Sequence, residues 1–204
     1  FRVIFGPVRA SDLPAFLDAG MNATPAMRRV RFDLRDRAML VPVELVLGMK
    51  TALLLAAVVV LLGGLGLEGY SLARVRGIGL PGAGILLGTF VLSSILGPVL
   101  LPWLPGRPFA VKGALLGLAI VALLEAMAVL GVVPLSGPHA AAWALVVPAL
   151  SSFVVMNFTG ASTYTSLSGV LREIRFAVPI QAVSAGVGVA LWVVGLFLGG
   201  GQGS

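Results

Sequence analysis

The chain has 204 residues, 58% hydrophobic and 11% charged, with a formal charge of +6 and a mean hydropathy of +1.06. This excludes an ordinary soluble domain, because several apolar runs exceed the roughly 20 residues a helix needs to cross the ~30 Å hydrocarbon layer. The runs are continuous rather than alternating, which excludes a membrane barrel, and the lack of cysteine excludes disulfides, thiolate metal ligands and a cysteine nucleophile.

Residues 1–40 differ from everything after them. Val3-Ile4-Phe5, closed by Gly6-Pro7, is expected to form a short strand and turn. Ser11 is placed to cap a helix through Leu13, Phe16 and Leu17, with Gly20 as its stop. Thr24-Pro25 suggests a second capped turn. Arg29 to Arg35 alternates apolar and charged residues with the period of a half-buried strand. A strand–helix–turn–strand unit of this size cannot bury a core of its own without disulfides or metal. Residues 1–40 are therefore expected to be an α/β remnant of a larger domain. The opening Phe1, with no signal-peptide pattern, agrees with a piece of a longer protein.

From about residue 41 the chain is apolar, and five spans are expected near 43–66, 80–102, 111–133, 140–158 and 177–198. The expected fold class is an all-α polytopic membrane protein (41–204) preceded by the short α/β remnant (1–40). Lys50 lies near the entry of the first span, where its stem can carry the charge toward the headgroups. Trp103, Trp143 and Trp192 are near span ends, where interfacial indoles gather. Pro98, Pro148 and Pro179 fall inside spans. Gly84-x-x-x-Gly88, Gly113-x-x-x-Gly117 and Ser184-x-x-x-Gly188 are small-residue spacings expected to pack helices together within the bundle.

Lysine and arginine set the expected orientation. With the N-terminus cytoplasmic, that side receives Arg28, Arg29, Arg31, Arg35, Arg37, Lys50, Arg107, Lys112, Arg172 and Arg175. The other side, where the C-terminus would lie, receives Arg74 and Arg76. The net positive charge is thus explained by the membrane and its anionic headgroups, without nucleic acid. The sequons at Asn22 and Asn157 would then face the cytoplasm and carry no glycan.

Few residues offer chemistry. Glu125 is the one ionisable group well inside an expected span; it is either a proton or cation site or a carboxyl clasping a neighbouring helix. His139, alone beside Pro138, is expected at a loop or helix interface. In the run from Asn157 to Ser168, Asn157, Thr159, Ser162 and Thr163 either line a polar cavity or end a helix through local hydroxyl–backbone bonds. The turn Gly6, Pro7, Val8, Arg9, Ala10 and Ser11 sits at the strand–helix edge where α/β domains bind ligands. Arg9 is suited to an anion there.

Three stretches together resemble the HgcA family of mercury-methylating corrinoid proteins: "GPVRASDLPAFLDAGMNATPAMRRVRFDLRDR" (6–37), "LVPVELV" (40–46) and "NFTGASTYTSLSGVLREIR" (157–175). Their order, joined by five spans, is what makes the resemblance specific. It implies the C-terminal part of that family: the end of a cytoplasmic cobalamin-binding α/β domain, then a five-helix domain in the inner membrane. The implied chemistry is transfer of a cobalt-bound methyl group to inorganic mercury(II), with a ferredoxin-like iron–sulfur partner, HgcB. Gly6, Pro7, Val8, Arg9 and Ser11 would then touch the corrinoid's periphery. The family's cap-helix motif, of the type Asn-(Val/Ile)-Trp-Cys, does not occur in this chain, so the resemblance implies no catalytic residue and no activity for this chain alone. The rival reading is a small independent transporter or channel using Glu125 and the Asn157–Ser168 run.

Overall fold

The computed structural model describes residues 3–29, 33–135, 137–158 and 167–198. Among these residues the regular elements are helical, and no strand occurs. In chain order they are a 3-10 turn at Ala10–Asp12, α1 (Leu13–Asp18), α2 (Leu34–Ala38), α3 (Val41–Leu62), α4 (Leu72–Arg74), a π-helical turn (Val75–Gly79), α5 (Leu80–Leu100), α6 (Phe109–Val129), α7 (Gly137–Asn157) and α8 (Leu167–Leu198). The chain divides into two units, Phe1–Asp36 and Arg37–Ser204.

The first unit corrects the expected α/β remnant. Val3, Ile4 and Phe5 form no strand, and Val3 and Phe5 are 74% and 81% exposed. A strand exists only where a neighbour pairs its backbone groups, and no backbone hydrogen bond joins these residues to a described segment. The second expected strand fails for a local reason. Asp33 precedes α2, and the Asp36 carboxylate, three residues on, accepts the Asp33 N–H at 3.4 Å. This is the back-reaching half of a capping box, and it starts a helix where alternation alone suggested a strand; residues 30–32 of that expected strand lie outside the described residues.

Ser11 does not cap α1. It lies inside the 3-10 turn, and Asp12 takes the N-cap position without a side-chain bond. The helix stop is as expected. Gly20 at φ +64° carries a Schellman ending, with Met21 N–H bonded to Phe16 C=O at 3.0 Å and Gly20 N–H to Leu17 C=O at 3.0 Å. Thr24 accepts the Met27 N–H at 3.4 Å, which makes a capped turn. Phe16 is the one buried apolar side chain among the described residues of this unit.

The second unit holds five helices long and apolar enough to span a membrane, as expected of a multi-pass membrane protein. Large apolar side chains such as Leu54, Leu118, Leu123, Val183 and Val189 face outward, as they do when the surrounding solvent is lipid. Helix α7 is central, packing against α5, α6 and α8, while α3 packs against α5. The core contains Phe90, Phe109, Trp143, Val147, Val155 and Trp192.

Small residues set the helix spacing, though not at every expected motif. A Cβ on Gly113 would meet the Ser151 carbonyl at 2.6 Å, and one on Gly117 the Pro148 Cα at 2.5 Å. The α6–α7 backbones therefore touch along this pair. Gly188 is closed off by Val146 and the Ala142 carbonyl, and Ser184 donates to the Leu145 carbonyl at 3.2 Å, which joins α8 to α7. Gly84 and Gly88, by contrast, meet nothing within 4 Å, so this motif does not pack inside the bundle. Trp143 and Trp192 do not face outward from the bundle. Each is 6% exposed, filling the space that small residues such as Gly82 leave open, whereas Trp103 is 68% exposed.

Candidate functional site: a basic groove at one end of the bundle

The antiparallel order of the spans brings the start of α3, the end of α5, the start of α6, the end of α7 and the start of α8 to one end. Each helix terminus leaves unpaired N–H or C=O groups. At this end, charged and polar side chains from other elements complete them. Arg37, 6% exposed, donates to the carbonyls of Pro98 at 3.4 Å and Val99 at 2.9 Å, and lies 5.9 Å from the Trp103 ring centroid. Lys112 of α6 donates to the Leu101 carbonyl at 2.6 Å. Two cations therefore sit on the C-terminus of α5, the end that the helix dipole makes negative.

The start of α6 is completed in the opposite sense. Pro108 at the N-cap offers no side-chain bond. Instead the Glu173 carboxylate of α8 accepts the Ala110 N–H at 2.5 Å, putting negative charge at a helix N-terminus. One turn of interactions further in, Gln181 Nε2 donates to Ser152 Oγ at 2.7 Å, and Ser152 Oγ–H donates to the Ala110 carbonyl at 2.8 Å. This chain of donors fixes the Gln181 amide. Its Oε1 is left buried with no hydrogen-bond partner among the described residues.

These groups line a groove of about 1200 Å³ between α6, α7 and α8. Its polar wall carries Arg107, Lys112, Ser152, Arg172, Glu173 and Gln181, and its apolar wall includes Phe109, Val111, Phe176 and Ile180. Arg107 and Arg172 are exposed and make no hydrogen bond or ion pair with a described residue. The groove thus has three cations against one carboxylate, an apolar flank, and an unpartnered acceptor at its inner end.

The expected site residues are not gathered in one place. Asn157, at the last position of α7, donates to the Glu44 carboxylate of α3 at 3.0 Å, so it ties two spans together at the basic end. Thr159, Ser162 and Thr163 lie outside the described residues. Ser168 to Arg175 form the first turns of α8, which begins ten residues before the expected span. Glu125 lies four residues from the end of α6, at the opposite end from Asn157. At 1.5 Å per residue it is about 24 Å along the axis from Phe109. Its carboxylate makes no hydrogen bond or ion pair with any described residue. His139, in the first turn of α7, meets Trp192 edge-on at 6.1 Å, as an interface residue does.

In the first unit, Arg9 is ion-paired with Asp36 at 2.8 Å, and Val8 N–H is bonded to the Met27 carbonyl at 2.9 Å. Gly6 and Ser11 are exposed and Pro7 is half-buried. The groove residues Ser152, Glu173 and Gln181, and Arg37 on the end of α5, were not singled out by sequence. Gln181 and the Ser151-Ser152 pair carried a usable signal, since amides and hydroxyls deep in apolar spans usually bond across helices. No protein-family model, curated protein or solved structure matches the chain.

Proposed function

We propose that this chain is the membrane part of a corrinoid-dependent methyltransferase of the HgcA type, which converts inorganic mercury(II) to methylmercury. Its role would be to hold the cobalamin-binding domain at the cytoplasmic face of the inner membrane. One observation carries the reading beyond the resemblance itself. The three stretches that resemble HgcA each supply a side chain to the network at the basic end. Arg37 closes the first stretch and caps α5, Glu44 of the second accepts from Asn157 of the third, and Glu173 of the third caps α6. By the positive-inside rule this end would be cytoplasmic, facing soluble machinery such as HgcB.

The residues present do not by themselves fit a corrinoid. There is no cysteine to ligate cobalt, the Arg9 guanidinium is engaged by Asp36, and Gly6, Val8 and Ser11 are exposed rather than walling a pocket. The cofactor would be held by the cobalamin-binding domain that the resemblance places upstream, with Gly6–Ser11 at most at its periphery. No step through cobalt is assigned to this chain.

An independent transporter draws less support. Its two proposed polar elements, Glu125 and Asn157, belong to opposite ends of the bundle. The test is methylmercury formation by membranes carrying the full-length protein together with HgcB. The proposal expects conversion of mercury(II), with Glu125→Gln leaving the yield unchanged. Absence of methylmercury from correctly folded full-length protein would overturn it.

A further inference from the structure

The groove between α6, α7 and α8 combines features that neither tethering a soluble domain nor methyl transfer requires. A bundle end that only met water would gain nothing from a cavity of about 1200 Å³, larger than most small-molecule pockets. Its three cations face one carboxylate, and that carboxylate is already committed to the Ala110 N–H. Lys112 spends one of its three donors on Leu101, which leaves two for a ligand. Arg107 and Arg172 offer whole guanidinium forks, the donor geometry suited to phosphate oxygens.

The apolar wall narrows the ligand class further. Phe176, Ala177 and Ile180 follow one another along α8 away from the cations and toward the middle of the span. A free anion would leave this wall unused, whereas an acyl chain would cover it. At the inner end, the buried Gln181 Oε1 has no donor among the described residues. An unpaired buried acceptor is costly, so the site is built for a partner that carries an O–H or N–H. With the surplus of positive charge, a hydroxyl suits it better than an ammonium group.

We infer that this groove binds one anionic phospholipid whose headgroup bears a hydroxyl, as in phosphatidylglycerol. The phosphate lies among Arg107, Lys112 and Arg172, a headgroup hydroxyl donates to Gln181, and an acyl chain lies along Phe176 and Ile180. The inference requires only a membrane-spanning bundle, and it is independent of mercury chemistry.

The experiment is native mass spectrometry of the 204-residue chain, titrated in micelles with phosphatidylglycerol or phosphatidylcholine. One phosphatidylglycerol should be retained in preference to phosphatidylcholine. The double variant Arg107→Gln/Arg172→Gln should weaken that binding about tenfold or more, since each cation near anionic lipid is worth about fivefold. Both residues are exposed and unpaired among the described residues, so the variant should unfold at the wild-type temperature. Gln181→Leu should also weaken phosphatidylglycerol while leaving phosphatidylcholine unchanged. Equal binding of the two lipids, or wild-type affinity in the double variant, would overturn the inference. So would displacement of phosphatidylglycerol by millimolar inorganic phosphate, which would mark a free-anion site.

Discussion

Arg37 illustrates how one side chain can hold a bundle end together. Pro98 sits within the last turns of α5, which must also leave its final carbonyls unpaired, and a buried guanidinium completes two of them. Charge-assisted hydrogen bonds of this kind are worth about 1.5–3 kcal/mol. Arg37→Ala should therefore lower the unfolding temperature in detergent by several degrees, measured by calorimetry or tryptophan fluorescence. Arg37→Lys should recover only part of the loss, because a point charge cannot span both carbonyls. This role was not legible in the sequence. Arg37 stood in a basic run where every arginine looked alike, and what distinguishes it is the proximity of residues about sixty positions away. Glu125 erred the other way. It was conspicuous as a lone carboxylate in an apolar run, yet the helix ends one turn later and the residue has no partner among those described.

At the scale of elements, the five spans were readable because continuous apolar runs of membrane length admit few other folds. The boundaries were less readable where polarity and helicity part company. Residues from Ser168 to Arg175 carry three charges, but they continue α8, and 32 residues at 1.5 Å make a helix of about 48 Å, longer than the hydrocarbon layer. The strand expected near residues 29–35 missed the Asp33–Asp36 pair, a local helix start that outweighs a short alternation. The glycine motifs show the same limit. Their spacing announces a close approach, but only the fold says which one is used. Gly117→Val should push α6 off α7, since its Cβ would press on the Pro148 backbone at 2.5 Å, and a loss of about 1–3 kcal/mol is expected. Gly84→Ala, pointing into open space, should be neutral or slightly stabilising. Parallel thermal unfolding of the two variants checks this contrast.

For the whole molecule, the main asymmetry is between the two ends of the bundle. One end concentrates Arg37, Arg107, Lys112, Arg172 and Arg175 with the helix-end network. The other carries Arg74 and Arg76, of which Arg74 donates to the Leu65 carbonyl at 3.3 Å. The asymmetry follows from lysine and arginine placement, so it was visible in the sequence. The groove was not, because its walls come from three spans and its inner acceptor from a single amide. The proposed tethering role depends on the basic end facing the cytoplasm. The chain contains no cysteine, so single cysteines can report on this directly. Pro105→Cys should react with a membrane-impermeant maleimide only after the cells are opened, while Glu68→Cys and Val132→Cys should react in intact cells whose outer barrier admits the reagent. The reverse pattern, or labelling of Glu68→Cys and Val132→Cys from different sides, would contradict the account.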